Sequence, residues 1–341
     1  MATTFKNFLS NDLANTRTLL HEAIPVTGTI ASGTYVVGGL TETNIKEYGH
    51  GMFQSVYDYP HLSSSANHIF DITFGYHSTS PLQAAANSQD SKKQNIYNQM
   101  AQTLVGYDAT GSIKKFTNSA GTEIEDALFV NFARLLTKDE IKKGSFTLTA
   151  MTGGTSAAMN NAMVMTDTSG ATGYRIDSPA GEYGYLYDAA GVEKGNLYYQ
   201  AGIAILSGGL IFDDPNVFGA PDTTGDGLSY VRTVTGSVIN ETADGFRNRL
   251  DNVSFNNTTE LNSTIYFCRV NHNDFNYSSN PTYLTGSKLR VKTMASDAPV
   301  SYITTIGMYS ADNELLAVAK LSEPLRKSSD TELTLRVRLD Y

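Results

Sequence analysis

Cysteine and tryptophan are the scarcest residues of this sequence. Among its 341 residues there is one cysteine, Cys268, and no tryptophan. A single cysteine excludes an internal disulfide and a zinc site built on cysteines. Because the neighbouring residues from Tyr266 to Val270 are typical of a strand, we interpret Cys268 as a small, buried or half-buried hydrophobic residue.

Charge is scarce as well. Charged residues make up 17% of the chain, against roughly 25% in ordinary globular proteins, and the net charge is −9 with no strong basic block. Proteins that bind nucleic acid usually carry a basic patch, because contacts with phosphates supply their affinity. The sequence therefore predicts no nucleic-acid partner.

Long apolar runs are also missing. No run approaches the ~20 residues of a membrane-spanning helix, and the longest candidate, Ala201 to Phe212, is short and contains three glycines. The first 20 residues have no apolar core of the signal-peptide type. We therefore expect cytoplasmic synthesis without membrane insertion.

Signatures of catalysis are absent too. The chain has no Gly-x-Ser-x-Gly elbow and no His-Glu-x-x-His motif. Residues 106–112 have the outline of a phosphate loop but lack the lysine that reaches the phosphates. The four histidines within residues 50–77 lack the spacing of a metal site on a helix or a strand. We predict a protein without enzymatic activity and without a cofactor.

One acidic segment partly matches a calcium-binding loop. Asp222, Thr224 and Asp226 precede Gly227 in the order of the first half of such a loop. The twelfth position is Thr233, where a bidentate glutamate is required. We therefore favour an ordinary turn rich in aspartate and glycine, with calcium as the weaker alternative.

Aromatic residues and turn formers take the place of charge. The chain has 20 tyrosines and 15 phenylalanines, a composition typical of strands and turns. We predict a mainly β, α+β protein with antiparallel sheets in sandwich-like domains and with long loop insertions. The expected regions are 1–150 with strands and helices, 151–258 rich in glycine and tyrosine, and 259–341 with an antiparallel β structure.

Three segments have apolar residues at helical spacing, which predicts helices over 10–24, 91–105 and about 124–136. Residues 213–247 are predicted instead to form an irregular excursion. The apolar positions are Leu13, Leu19 and Leu20 in the first helix, Ile96, Met100 and Leu104 in the second, and Phe129, Phe132 and Leu136 in the third.

Other segments predict strands. Residues 69–75 form an apolar strand, and Tyr183, Tyr185 and Tyr187 alternate along one arm of a hairpin that turns at 188–194 and returns over 197–206.

The C-terminus has the plainest strand signal. Residues 300–309 and 315–320 predict a hairpin that turns at 310–313. Apolar residues then occupy every second position from Leu333 to Tyr341, which predicts a half-buried final strand paired with this hairpin.

Three further segments resemble virion structural proteins of large contractile-tailed bacteriophages, including those that infect cyanobacteria. They are Phe132–Leu148, Asn271–Tyr283, and Tyr302–Tyr309 followed by Asn313–Ser322. The last also resembles the strand–turn–strand pattern at the attachment end of phage tail-fibre and baseplate proteins. The resemblance implies a multi-copy virion component made in the host cytoplasm, with other virion proteins and copies of itself as partners.

A non-enzymatic subunit of the baseplate or tail is the function that this resemblance implies. The alternatives are a component of the neck or head–tail connector, and a peripheral module that binds a receptor or glycan. Tyrosine and arginine are enriched where proteins meet. The candidate interface residues are Tyr183, Tyr185, Tyr187, Phe275, Tyr277, Arg336, Arg338 and Tyr341.

Overall fold

The fold is mainly β, as the sequence predicts. A computed structural model describes residues 5–26, 43–153, 160–212, 229–276, 284–285, 288–289, 296 and 300–341. Strands account for 46% and helices for 17%, and the strands pair antiparallel wherever a register is described. The expected mainly β, α+β class with few helices is therefore confirmed.

The described residues contain nineteen strands and six α-helices, with a 3-10 turn at Ser10–Asp12. The strands are β1 (Leu13–Pro25), β2 (Ile45–Glu47), β3 (Gln54–Tyr57), β4 (His68–Tyr76), β5 (Phe116–Thr117), β6 (Glu123–Ile124), β7 (Asp126–Phe132), β8 (Glu140–Ile141), β9 (Thr147–Gly153), β10 (Asn160–Thr166), β11 (Tyr183–Tyr187), β12 (Glu193–Tyr198), β13 (Ile203–Leu206), β14 (Leu250–Val270), β15 (Leu284–Thr285), β16 (Lys288–Leu289), β17 (Val300–Tyr309), β18 (Leu315–Ser328) and β19 (Leu333–Asp340). The helices are α1 (Asp90–Leu104), α2 (Arg134–Thr137), α3 (Gly170–Gly173), α4 (Gly208–Ile211), α5 (Tyr230–Gly236) and α6 (Ile239–Arg249).

The chain divides into two compact units. The core unit contains residues 20–259, and the terminal unit contains residues 1–19 together with 260–341. Strand β14 contributes its first half to the core unit and its second half to the terminal unit. The division of the sequence at 150 and 258 stays a prediction.

A long antiparallel sheet forms the core unit. Its strands follow the order β14-β9-β10-β11-β12-β13-β7-β4-β3-β2. Strand β7 near the middle is buried on both faces: Phe129 contacts one hydrophobic cluster, and Leu128 and Val130 contact the other. Helix α1 and the β5–β6 hairpin contribute to the first cluster, and α5 and α6 contribute to the second. This sheet with an apolar layer on each side holds the core of the unit.

Helix α1 confirms the helix predicted over 91–105. Its residues Ile96, Tyr97, Ala101 and Leu104 are buried, whereas most of the others reach solvent. Such a one-sided apolar stripe is the pattern that sequence periodicity detects. The opposing strand β4 has Gly75 at the contact, which lets the helix backbone approach closely.

The other two predicted helices are wrong. Residues 13–25, within the segment predicted as helix 10–24, form strand β1, and residues 126–132 form strand β7. The spacing of Phe129, Phe132 and Leu136 mimics a helix because β7 is apolar on both faces and lacks alternation. The four-residue α2 covers only the end of the segment predicted as helix 124–136.

Two helices of seven or more residues, α5 and α6, were missed by the sequence analysis. Helix α5 lies within the segment 213–247 that was predicted to be irregular, and helix α6 begins in it. Ile239, Ala243 and Phe246 are buried on it at intervals of four and three residues. This spacing is a helical signal, and the nearby glycines and aspartates hid it.

The tyrosine hairpin is confirmed with different bounds. Strand β11 pairs with β12 after a turn in which the backbone N–H of Asp188 donates to the carbonyl of Val192. The return strand ends at Tyr198, and Ile203–Leu206 forms the separate strand β13. The predicted single return strand over 197–206 is therefore wrong.

The terminal unit contains the predicted C-terminal hairpin. Strands β17 and β18 pair with each other around a turn where Asn313 donates its N–H to the Ser310 carbonyl. The final strand β19 pairs with the second half of β14, in register from Ser263 opposite Asp340 to Val270 opposite Leu333. The expectation that β19 pairs with the hairpin is wrong, since β14 provides its partner edge.

Candidate functional site

The described part of the chain contains no cluster suited to hold a metal ion. No group of three or more His, Cys, Asp or Glu side chains converges there. The weak calcium candidate, Asp222, Thr224 and Asp226, lies outside the described residues. No helix in the described ranges is long and apolar enough to cross a bilayer.

The described residues of the terminal unit contain few buried hydrophobic side chains. Among its described residues, the buried hydrophobic side chains are Val270, Met308 and Val337. Each buried aliphatic side chain stabilises a fold by roughly 1.5–3 kcal/mol, so these three contribute little against the conformational entropy lost by the strands. All other buried hydrophobic residues of the described chain belong to the core unit.

Large hydrophobic side chains instead lie on the surface of the terminal unit. Scattered single exposures are normal, whereas a group of them marks a contact surface. The exposed set is Phe5, Phe8, Leu9, Leu13, Leu19, Leu261, Phe275, Tyr302, Tyr309, Leu315, Leu316, Val318 and Tyr341.

Part of this set forms a patch near the turn of the β17–β18 hairpin. Phe5 packs edge-on against Tyr309, with ring centres 5.1 Å apart. Tyr309 and Leu315 lie over Gly307, which pairs with Val318 on the neighbouring strand. Leu315 and Val318 are 54% and 51% exposed. We call Phe5, Tyr309, Leu315 and Val318 the hairpin patch.

Hydrogen-bonded carboxylates connect other strands of the terminal unit. Asp12 accepts the backbone N–H of Leu9 and pairs with Arg269 at 2.7 Å, and these contacts, the Leu9 N–H first, lower the pKa of Asp12. On strand β19, the Ser263 hydroxyl, followed by the Arg338 guanidinium, lowers the pKa of Asp340. These ionised aspartates therefore add hydrogen bonds and ion pairs to the contacts between the strands of the terminal unit.

Four of the predicted interface residues lie in the described part of the terminal unit. Arg336 and Arg338 are exposed on β19, and Arg338 contacts Asp340 and Ser263. Tyr341 is 76% exposed, and its backbone is hydrogen-bonded to Asn262. Phe275 is partly exposed, with its carbonyl accepting the Ser301 hydroxyl, while Tyr277 lies outside the described residues.

The three predicted tyrosines of β11 lie in the core unit. Tyr185 is 7% exposed, so its ring packs mainly within the chain. Tyr183 and Tyr187 are partly exposed, and Tyr183 stacks on Tyr198 at 5.0 Å between ring centres. Burial first, and then the neighbouring Tyr185, raises the pKa of Tyr183.

Sequence reasoning missed the hairpin patch although it found the hairpin. Leu315 and Leu316 are adjacent apolar residues, so the strand presents apolar side chains to both of its faces. That pattern requires a covering layer on each side. Apolar side chains on both faces of a two-stranded hairpin are therefore the sequence signal of a surface that binds other proteins.

Comparison of the chain with known proteins found no match among family models, curated proteins or solved structures.

Proposed function

We propose that this chain is a non-enzymatic structural subunit that packs into a large assembly, and that the assembly is a tailed-bacteriophage virion. The observation that carries the proposal is the terminal unit, whose described residues include many exposed large hydrophobic side chains and few buried ones. Contact surfaces in assemblies are enriched in tyrosine, phenylalanine and other apolar residues at their centres. Neighbouring subunits supply the missing cover.

The β17–β18 hairpin is the part of this surface that most needs a neighbour. A two-stranded hairpin is only marginally stable in water unless a further layer packs on it. Strands β17 and β18 pair with each other and with no other strand among the described residues. Packing of a second chain against the hairpin patch would bury Leu315 and Val318 and stabilise the hairpin.

The same hairpin carries features that limit uncontrolled association. Lys320, Glu323 and Arg326 are exposed on β18, and Pro324 stands where the register between the two strands shifts. Charged side chains, bulges and proline on an open strand suppress pairing with arbitrary strands. Such protection favours association through a side-chain surface with one matching partner.

The resemblance of three segments to virion proteins directs the proposal to a phage particle. One of these segments forms most of the β17–β18 hairpin and contains Tyr309, Leu315 and Val318 of the hairpin patch. Its partners are other virion proteins and copies of this chain. A baseplate or tail position agrees with the strand–turn–strand resemblance, and a neck or head–tail connector position requires the same kind of surface.

The test uses phage particles purified from cells that produce this chain together with its genomic neighbours. We expect mass spectrometry to detect the chain in intact particles in multiple copies. The double variant Leu315→Ser with Val318→Ser should enter particles about tenfold less or worse, because two apolar side chains lose their burial at the contact. Both side chains are exposed in the free chain, so the melting temperature of the double variant should stay close to that of the wild type.

Leu62→Ser is the matched control. Leu62 is 89% exposed in the core unit, so the change removes apolar surface without touching the hairpin patch. We expect incorporation of this variant at the wild-type level. Absence of the chain from purified particles would contradict the proposed function, and normal incorporation of the double variant would contradict the role of the hairpin patch.

A further inference from the structure

A surface cleft of the core unit combines aromatic rings with hydrogen-bonding side chains. Two adjoining depressions, of about 440 Å³ and about 390 Å³, share Thr117, Asp177 and Tyr183 in their linings. Volumes of about 300–1,000 Å³ are typical of small-molecule sites. We call the two depressions together the tyrosine cleft.

Stacked tyrosines form one wall of the tyrosine cleft. Tyr183 lies face to face with Tyr198 and edge-on to Tyr185, with ring centres 5.0 and 5.9 Å away. Tyr198 and Tyr185 are buried, so they hold the more exposed Tyr183 in one orientation. Tyrosine provides an apolar ring surface together with a hydroxyl that can donate and accept hydrogen bonds.

Charged side chains surround these rings in equal numbers of each sign. The lining contains three basic residues and three acidic residues, so its formal charge cancels. A cleft for nucleic acid or another polyanion would instead carry an excess of basic residues. The lining residues are Lys114, Lys115 and Arg175 on the basic side and Asp108, Glu123 and Asp177 on the acidic side.

Backbone contacts hold the polar side of the cleft in place. Arg175 and Tyr183 exchange two backbone hydrogen bonds, of 2.7 and 3.0 Å, which ties segment 174–177 to strand β11. The Arg175 guanidinium lies 6.0 Å from the centre of the Tyr185 ring. The Ser178 hydroxyl donates to the Leu104 carbonyl at the end of α1. The backbone that carries these side chains is therefore arranged before any ligand binds, which lowers the entropic cost of binding.

We propose that the tyrosine cleft binds a neutral oligosaccharide. A sugar ring has apolar C–H groups on its faces and hydroxyl groups around its edge. Tyr183 can pack against such a face, while Asp177 accepts hydrogen bonds from hydroxyls and Arg175 donates to them. The cancelling charge of the lining matches a ligand that carries no net charge. This binding is independent of the assembly role, since its residues belong to the core unit.

The test screens the full-length protein against neutral oligosaccharides of glucose, galactose, mannose, rhamnose and N-acetylglucosamine. Dextran sulfate and a DNA oligonucleotide serve as polyanionic comparisons. Isothermal titration calorimetry then measures the Kd of the best neutral ligand for the wild type and for two variants, Asp177→Asn and Arg175→Gln. We expect each variant to weaken binding about tenfold or more, because each removes a hydrogen bond between a charged side chain and the ligand, and such bonds are stronger than those between neutral groups.

Asp251→Asn is the control, since Asp251 is an exposed carboxylate of the core unit outside the cleft. We expect it to bind as the wild type does. Unchanged melting temperatures of all three variants would show that they fold. The proposal is wrong if no neutral oligosaccharide binds, if the polyanions bind better, or if the two cleft variants bind like the wild type.

Discussion

At the scale of single residues, Lys327 connects two segments of the terminal unit. Its side chain is fully buried, and its ammonium group donates to the carbonyls of His272 and Ser328 and to Oδ1 of Asn276, at 3.1, 2.7 and 2.6 Å. These bonds join strand β18 to the start of the asparagine-rich loop. Hydrogen bonds of one buried lysine thus connect the strand to the loop, whereas apolar packing connects the elements of the core unit.

The substitution Lys327→Met should destabilise the terminal unit. Methionine keeps much of the side-chain volume but leaves these acceptors without their donor, a loss of about 1–3 kcal/mol. Lys320→Met is the matched control, because Lys320 is exposed on the same strand. Urea unfolding followed by circular dichroism measures both. Equal stability of the two variants would contradict the role assigned to Lys327.

At the scale of elements, the position of helix α1 depends on the absence of a side chain at Gly75. A Cβ atom added there would lie 2.6 Å from the Lys93 carbonyl oxygen and 2.7 Å from the Tyr97 backbone nitrogen. Both contacts involve helix backbone, so a rotamer change cannot relieve them. Gly75→Ala should therefore displace α1 and cost about 1–3 kcal/mol.

Gly49→Ala serves as the control for this prediction. A Cβ atom at Gly49 meets nothing within 4 Å. The melting temperature of the Gly49→Ala variant should therefore stay near the wild-type value. Differential scanning calorimetry compares the two variants. The close packing of α1 on β4 is refuted if Gly75→Ala melts no lower than Gly49→Ala.

Which elements the sequence could reveal depends on how many of their faces are buried. Helix α1 was predictable because one face is apolar and the other is polar. Strand β7 was not, since its run Ala127-Leu128-Phe129-Val130 is buried on both faces and has no alternation. Strand β1 exposes Leu19 and Leu20, whose spacing suggested a helix. Its extended form follows from pairing with β14, a long-range contact that local spacing cannot indicate.

The candidate sites were predictable only in part for a related reason. The alternation at 183–187 located the tyrosine strand, and that from Leu333 to Tyr341 located β19. Whether an aromatic ring is enclosed by its own chain, as Tyr185 is, depends on residues distant in sequence. The Arg175 side of the tyrosine cleft is joined to β11 by an isolated backbone bridge between Arg175 and Tyr183, which is not part of a regular strand pair.

At the scale of the whole molecule, the two units should respond differently to loss of the final strand. Truncation after Asp330 removes β19 and leaves one edge of β14 unpaired over Ser263–Val270, while β1 stays paired with β14. It also removes Val337, one of the few buried hydrophobic residues of the terminal unit. We expect proteases to cut the truncated terminal unit rapidly, while a fragment near 20–259 stays resistant because its own core is intact.

Limited proteolysis followed by mass spectrometry measures this difference, with the full-length chain digested in parallel. A truncated chain that resists cleavage as well as the full-length chain would show that β19 adds nothing. Rapid loss of the core fragment would show instead that β19 supports the entire molecule.

The thin core of the terminal unit has a consequence for the supply of this protein in the cell. If neighbours provide the missing burial, the stability of that unit rises with their concentration, because binding to the folded form favours it by mass action. Copies that find no neighbour then open more often and are degraded first. Turnover of unassembled chains would thereby match the amount of this protein to the number of binding positions in the assembly.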